Sequence, residues 1–556
     1  MNASDKRLYI IGAGFAGISI AADIKRKKIF GKVAAFLDDD ENLIGKMFDG
    51  IPVIGPVANI ASLLRCTESD EAIIATPSAS VERIKAIYEL LKAGGFKHIK
   101  ILPSVSQIVN GTAHLVQARE IDPLDILGRT PVTVSLKESL SYLRGKRVLI
   151  TGAGGSIGSE LARQLLSGGA ERLYLFGHGE NSIYHIDREL HLLQKEGVGE
   201  KATIVPIIGD MKDSAYIDHI VARTKCDVVF HCAAYKHVPL MEENPVAAIE
   251  NNVFGTKNML DACIAHRVRR FVLISTDKAV APVSVYGASK MICEKLLLEA
   301  AAKADGNAFM FVRFGNVLGS RGSILPLFME QIKNGGPVTV TDKNMERYFM
   351  TIPEACSLVL QAGGVGTNGS SYVLDMGQPV KIAELAEQII RFSGFEPYKD
   401  IDIQFIGARK GERTVEPLWS SEEQPQKTAY EKILQLTNTP FENKKLAALL
   451  ARLAPICSCS NMSGDRLRNA QQGGCNCASE NAAVGNAANS VYRDKEHLLT
   501  VLSDYIPSLK AWREGNEAGR TNTASTCNAN SNNASNTQGA FMARNAPANG
   551  TEASLV

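Results

Sequence analysis

The sequence predicts an α/β protein made of two doubly wound, parallel-sheet domains, and three observations carry that expectation. A strand, a glycine-rich turn and a helix occur twice, in LYIIGAGFAGISIAADI (Gly12, Gly14, Gly17) and in RVLITGAGGSIGSELARQLL (Gly152, Gly155, Gly158). Behind each, short apolar runs alternate with helix-like stretches, the pattern of a sheet buried on both faces. At 556 residues the chain also exceeds what one hydrophobic core usually serves.

Each element follows from its residues. Glycines are needed where the backbone turns sharply, approaches a pyrophosphate and lets a helix pack on its strand, so both turns read as Rossmann-like loops. The first domain, 1–118, continues with the strands KVAAFLDDD and EAIIATPS around helical SVERIKAIYELLKAGG. Its candidate ligand residues are Gly12, Gly14, Gly17 and Asp38, which follows Gly17 by 21 residues, where a ribose-binding acid is expected. It carries no acid–base pair, so ligand binding and a structural or assembly role both stay open.

REIDPLDILGRTPVTVS, 119–135, is a connector, and a second domain at 136–440 strings together ERLYLFG, ATIVPIIGD, CDVVFHCAA and RRFVLIST. Residues 441–515 read as C-terminal helices interrupted at 456–490 by a segment rich in Asn, Ala, Gly, Ser and Cys. That segment and the polar tail 516–556 bury too little apolar area to offset ordering entropy, so both are expected to be disordered. Cys457, Cys459, Cys475 and Cys477 form two Cys-x-Cys pairs. Their spacing is not the double Cys-x-x-Cys of a strong zinc signal, and no metal is assigned.

Composition excludes some classes of function. Hydrophobic residues make up 45% and charged ones 22%, and the formal net charge is only +2, which gives no general attraction to nucleic acid or anionic membrane. The first residues read as strand, turn and helix rather than an export signal, and no run of about 18 apolar residues announces a transmembrane helix. The expectation is a soluble, cytoplasmic protein whose cysteines stay reduced.

Chemistry concentrates in STDKAVAPVSVYGASK, 275–290. Tyr286 and Lys290, at i and i+4, project from one helix face, where an ammonium can lower the phenol pKa and hold a nicotinamide ribose. The phenolate can then take a hydroxyl proton as hydride leaves carbon. Asp277 and Lys278 lie nine residues earlier than this pair, at the end of a strand, where α/β sheets bind ligands.

TGAGGSIGSE, HCAAYKHVPLMEENPVAAIENNVFGT, STDKAV, VYGASK, VRFGNVLGSRGSILPLF, GGPVTVTD and RYFMTIPEA cover roughly 145–360. In these segments the chain resembles the extended short-chain dehydrogenase/reductases, and within them the UDP-N-acetylglucosamine 4,6-dehydratases of polysaccharide biosynthesis. The resemblance implies a second domain of that type with a small C-terminal substrate-binding part, including GARKGERTVEPLW. It implies oxidation at sugar C4, removal of the C5 proton, loss of the C6 hydroxyl as water and return of hydride to C6. It assigns Thr276 to the C4 oxygen, Asp277 as acid and Lys278 as base at C5, with Tyr286 and Lys290 as the oxidation pair. Many long members carry methionine where Tyr286 stands, and inversion or retention at C5 stays open.

For the cofactor the resemblance points to Gly152, Gly155, Ser156, Ile157, Gly158, Asp210, Met211, Ala233 and Lys290. Gly177 stands where the ribose-binding acid is expected, and Glu180 is the nearest carboxylate. No Arg or Lys adjoins this strand end to grip a 2'-phosphate, so NAD is favoured and NADP is the alternative. Sugar-nucleotide contacts fall on Lys236, His237, Asn316, Arg321, Arg347, Arg409 and Glu412. The partner is UDP-N-acetylglucosamine, with a homo-oligomer expected. The alternatives are a nucleotide-sugar 4-epimerase, which has no elimination to perform, and a non-catalytic nucleotide-sugar sensor or scaffold. FLDDDENLIGKMFDGIPVIG resembles nucleotide-sugar-sensing modules.

Overall fold

The structure, a computed structural model, describes residues 7–27, 32–64, 67, 70–77, 79–102, 119–120, 140–304, 306–437, 442–457 and 491–515. Most of the expected connector, the 458–490 part of the interrupting segment with Cys459, Cys475 and Cys477, and the tail lie outside the described residues. Residues through Leu509 form one compact unit, and a second begins at Lys510.

Both expected sheets form. In the first, spatial order runs Met47–Phe48, Ile51–Ile54, Lys32–Leu37, Arg7–Ile11, Glu71–Ile74, His98–Ile101 and Arg119–Glu120. Its inner strands pair in parallel, whereas Arg119–Glu120 returns antiparallel against Lys100 and Ile101. The first sheet thus takes its edge strand from the first two residues of the expected connector, an antiparallel return that covers the free side of His98–Ile101.

The second sheet runs Thr203–Ile208, Arg172–Gly177, Arg147–Thr151, Val228–His231, Arg270–Ile274, Ala308–Arg313, Ser370–Leu374, Ile433–Thr437 and Gln424–Lys427. The first seven are parallel and the last two form an antiparallel hairpin at the edge. Strand order reverses beside Arg147–Thr151, which makes a crevice there.

Successive side chains alternate between faces. Leu149, Val229, Phe271, Phe309 and Phe311 face one core, and Val148, Ile150, Phe230, Val272 and Met310 the other. A third cluster, including Leu318, Phe328, Val340, Phe349 and Ile389, holds a small lobe built on the helices Ile324–Lys333 and Ile382–Phe392. No helix among the described residues is long and apolar enough to cross a membrane.

The helix Val285–Lys303 is apolar on more than one side because it is covered twice. Beneath it lies the sheet, and the terminal helices Asn443–Cys457 and Lys495–Tyr505 join the same core through Leu449, Leu453, Leu498 and Leu502. Cys457 is buried there, and no metal-binding cluster exists among the described residues. Arg493 N donates to Ile456 O at 2.9 Å, so the chain returns to the point from which it left. The Arg493 guanidinium grips both oxygens of Glu250 at 2.9 Å.

His231 ends its strand wholly buried, with Nδ1 2.8 Å from Thr151 Oγ1 and Nε2 2.9 Å from Thr256 Oγ1. Burial, and secondarily the nearby Lys290 charge, lowers its pKa from 6.5 to about 3.

Two outcomes are expected. Leu498→Ala, at a fully buried position, should cost about 2–5 kcal/mol in chemical denaturation. As pH falls from 6.5 towards 3 the unfolded chain takes up a proton that the folded His231 refuses, so stability is lost across that window. His231→Asn should lower Tm at pH 7 yet show a shallower decline in Tm between pH 6.5 and 4 than the parent. An equal decline would remove His231 from the cause.

Candidate functional site

The parallel strands of the second sheet end on one edge, and a cavity of about 780 Å³ opens there. Gly152, Gly155, Ser156, Ile157 and Gly158 line part of it. Gly152 holds a left-handed φ of 66°, and a Cβ added to it would stand 2.8 Å from Ala233 N. A Cβ on Gly158 would run into the Gly152 carbonyl, so this helix can approach its strand only with glycine there. The helix Ser156–Ser167 starts at Gly155 without a side-chain cap, which leaves its first amides for an anion.

The remaining cofactor candidates are placed less uniformly. Ala233 N donates to Thr151 Oγ1 at 3.3 Å, and Met211 is buried. Asp210 accepts from Lys212 N at 2.9 Å and pairs with its ammonium at 3.3 Å, closing its own turn. Glu180 begins the helix Glu180–Lys195, exposed, just past Gly177.

Tyr286 and Lys290 line the same cavity from the helix Val285–Lys303, whose start is fixed by Ser284 Oγ accepting from Gly287 N at 3.1 Å. Burial pushes the Tyr286 phenol well above its ordinary value, the Asp277 charge adds to this, and the opposing influence is a hydrogen bond with Thr276. The Lys290 charge acts on His231 and Cys232 at the end of a strand and on Cys293 of its own helix.

Thr276, Asp277 and Lys278 form a turn after Arg270–Ile274. Asp277 is fully buried. Its Oδ1 accepts from Thr276 Oγ1 and from Lys278 Nζ, both at 3.0 Å. Its Oδ2 is buried with no partner among the described residues. Lys278 Nζ also donates to Asn316 Oδ1 at 3.2 Å. Acid and base candidates thus meet each other first, and a proton passing between them crosses one hydrogen bond.

All seven expected sugar-nucleotide residues line the cavity. Lys236 Nζ reaches Ser320 Oγ at 3.3 Å, and desolvation draws its pKa below the ordinary value. His237 is lowered too, by desolvation first and then by Lys236. Arg321 sits on the glycine turn itself, with Nη1 donating to Gly154 O at 3.0 Å and its backbone N to Ser156 Oγ at 3.1 Å. Arg347 is buried and donates to Glu346 O at 2.7 Å and Thr414 O at 2.9 Å, fixing the segment that bears Arg409 and Glu412. Glu412 Oε2 is buried with no partner among the described residues.

Several neighbours carried no recognisable sequence signal. Glu416 is buried, and burial raises its pKa while the Lys278 charge opposes the rise and Asp277 reinforces it. Asn252 lies in a π-helical turn, Ile249–Phe254. Its Oδ1 accepts from Tyr235 N at 2.8 Å and its Nδ2 donates to Ser289 Oγ at 2.9 Å, tying a cavity wall to the Tyr–Lys helix. Such turns recur at functional sites, and only the adjacent Asn251 and Asn252 could have hinted at this one.

The first domain's residues stand apart. Asp38 Oδ2 accepts from Ala13 N at 2.6 Å and its Oδ1 from Asp40 N at 3.0 Å, so this acid braces its own glycine turn. Gly12 takes φ 105°, and Gly17 packs where a side chain would strike the Gly12 carbonyl.

Comparison with known proteins matches residues 148–438 to the family described as polysaccharide biosynthesis protein. The capsular polysaccharide biosynthesis protein CapD of Staphylococcus aureus is 41% identical over 435 residues, covering 78% of this chain and 72% of its own. The probable polysaccharide biosynthesis protein EpsC of Bacillus subtilis (strain 168) is 41% identical over 421 residues, covering 76% and 69%. A UDP-glucose 4-epimerase of Rickettsia canadensis (strain McKiel) is 34% identical over 288 residues, covering 50% of this chain and 79% of its own. The matched residues include the whole cavity-bearing sheet up to its edge hairpin, and the chain belongs to the polysaccharide biosynthesis protein family.

Proposed function

We propose that this protein is an NAD-dependent enzyme that modifies the sugar of a nucleotide sugar, starting with oxidation at C4. The observation that carries the reading is that an uncapped glycine-turn helix, the Tyr286–Lys290 pair and a set of cationic and amide side chains share one cavity. Gly152, Gly155 and Gly158 suit a dinucleotide pyrophosphate, and Lys290 its nicotinamide ribose. When bound, NAD supplies the hydride acceptor and returns the hydride. Tyr286 takes the C4 hydroxyl proton as the phenolate, which the Lys290 ammonium and the positive charge of a bound nicotinamide would favour against burial, while Thr276, its hydrogen-bond partner, steadies that oxygen. Lys236, His237, Arg321 and Arg409 offer the positive and donor groups that a nucleoside diphosphate requires. A gathered catalytic set of this kind supports an enzyme over a sensor or scaffold.

Two reactions start from a C4 ketone. Among the relatives compared, those whose names state a reaction are UDP-glucose 4-epimerases, and this favours a 4-epimerase over the 4,6-dehydratase expected from the sequence. The relatives with higher identity carry a pathway name rather than a reaction. One geometric observation favours the dehydratase reading with UDP-N-acetylglucosamine. Epimerisation needs no acid–base pair beyond Tyr286, yet Asp277 and Lys278 meet at 3.0 Å beside it, with Glu416 close enough to feel both charges. In that reading Lys278 removes the C5 proton, which the C4 ketone makes acidic, and Asp277 or Glu416 protonates the departing C6 hydroxyl.

Incubation with UDP-N-acetylglucosamine in deuterated water, followed by NMR, separates the two readings. A 4-keto-6-deoxy product with deuterium at C5 identifies a dehydratase, and a 4-epimer that keeps its C6 hydroxyl identifies an epimerase. Neither product from this sugar or from UDP-glucose would sink the reading as a whole. Tyr286→Phe should lower kcat by about 10²–10⁴-fold with UDP affinity unchanged. Lys278→Ala should abolish C5 exchange in a dehydratase and leave an epimerase's product unchanged.

A further inference from the structure

Beside the cavity lies a buried ion cluster, of which Ser275 alone also lines the cavity. Arg313, the last residue of the strand Ala308–Arg313, is 4% exposed. Its guanidinium forks onto Glu294, with Nε to Oε1 and Nη2 to Oε2 both at 2.7 Å. Its third nitrogen, Nη1, donates to Glu423 Oε2 at 2.8 Å. Ser275 Oγ donates to Glu294 Oε1 at 2.5 Å, and Ser420 N to Glu423 Oε2 at 2.8 Å. Lys295 lies within electrostatic reach of Glu294, Arg313 and Glu423 and supplies a second positive charge against the two carboxylates.

What the cluster joins matters more than its own stability. Ser275 immediately precedes Thr276, Asp277 and Lys278. Glu294 stands one helical turn beyond Lys290 on the Tyr–Lys helix. Arg313 leads through Phe314, whose carbonyl accepts from Asp277 N at 3.2 Å, to Asn316, which holds Lys278. Glu423 ends the segment that carries Arg409, Glu412 and Glu416. Four separate stretches of chain, each bearing groups of the cavity, therefore converge on one guanidinium. Lysine could not replace it, since only the planar fork reaches two carboxylates in fixed directions. A buried ion group is poor evidence for stability gained, but losing one partner leaves an uncompensated charge, so its members act together.

Resting on the function proposed above, we propose that Ser275, Glu294, Arg313 and Glu423 are positioning residues. They lock the sugar-facing segment 409–423 to the Tyr–Lys helix and the Thr276–Lys278 turn, so that docking of the segment sets the register of the reacting groups. Of the four only Ser275 lines the cavity, and its hydroxyl is committed to Glu294. Ser275 and Glu423 reach the cluster through different partners, the one through Glu294 and the other through Arg313, so any effect of one on the other travels through the ion pair.

Hydrogen exchange on the full chain tests this without requiring turnover. Glu423→Gln should speed exchange at least threefold in peptides from 276–290 as well as in 409–423, and Ser275→Ala should do the same in 409–423. Changes confined to each variant's own segment would overturn the proposal. Kinetics supply the second readout. Ser275→Ala should lower kcat about tenfold with KM for the sugar nucleotide within twofold, and the double variant with Glu423→Gln should lose much less than the product of the single losses. Multiplicative losses would refute the coupling. A parent protein that turns over no sugar nucleotide would refute the proposed function, while the exchange data would still decide the coupling.

Discussion

Parallel strand pairing is the constraint from which the remainder of this molecule follows. Seven strands of the second sheet run in one direction. Parallel neighbours need crossover connections, which cover both faces with helices and make the strands apolar throughout. The same direction brings every strand's C-terminal end to one edge. The glycine turn after Thr151, the His231 end, the Thr276 turn and the Asn316 approach are thereby neighbours without being close in sequence. The cavity is assembled by this shared polarity, and the small lobe supplies its other wall.

Much of this was legible in sequence because it is local. Glycine spacing predicted both strand–turn–helix units, and the alternation of apolar runs predicted both sheets. Tyr286 with Lys290, and Asp277 with Lys278, announced themselves by spacing of four and one. The pairings made over long separations were not legible. Glu294 and Glu423 meet across 129 positions only through Arg313, and nothing near either residue marks it as functional. Asp38 was read from its distance to Gly17, and the hydrogen bond it accepts from Ala13 N, which ties it to the glycine turn, carried no signal of its own. Arg119–Glu120 looked like linker because a two-residue edge strand has no periodicity to detect.

The electrostatics of the cavity are set by desolvation more than by charge pairing. Tyr286 rises because removing the phenolate from water outweighs the hydrogen bond with Thr276 that opposes it. Glu416 rises for the same reason. Asp277 differs, since a hydroxyl and an ammonium both address one of its oxygens while the other is left bare. A reacting group that brings its own donor to Oδ2 would therefore meet an acceptor already stripped of water. Asp277 itself is absent from the cavity wall, to which Thr276 and Lys278 on either side of it belong.

The meeting of Ile456 and Arg493 has a consequence for how this chain can vary. Their backbones are joined by a hydrogen bond, and the Glu250 clamp holds the returning strand of chain beside it. Whatever sequence lies between leaves and re-enters through a fixed gate, so lengthening it costs only the slow logarithmic entropy of a larger closed loop. The position is a natural port, at which a lineage or an engineer can add a module to the protein without disturbing the helix that bears Tyr286.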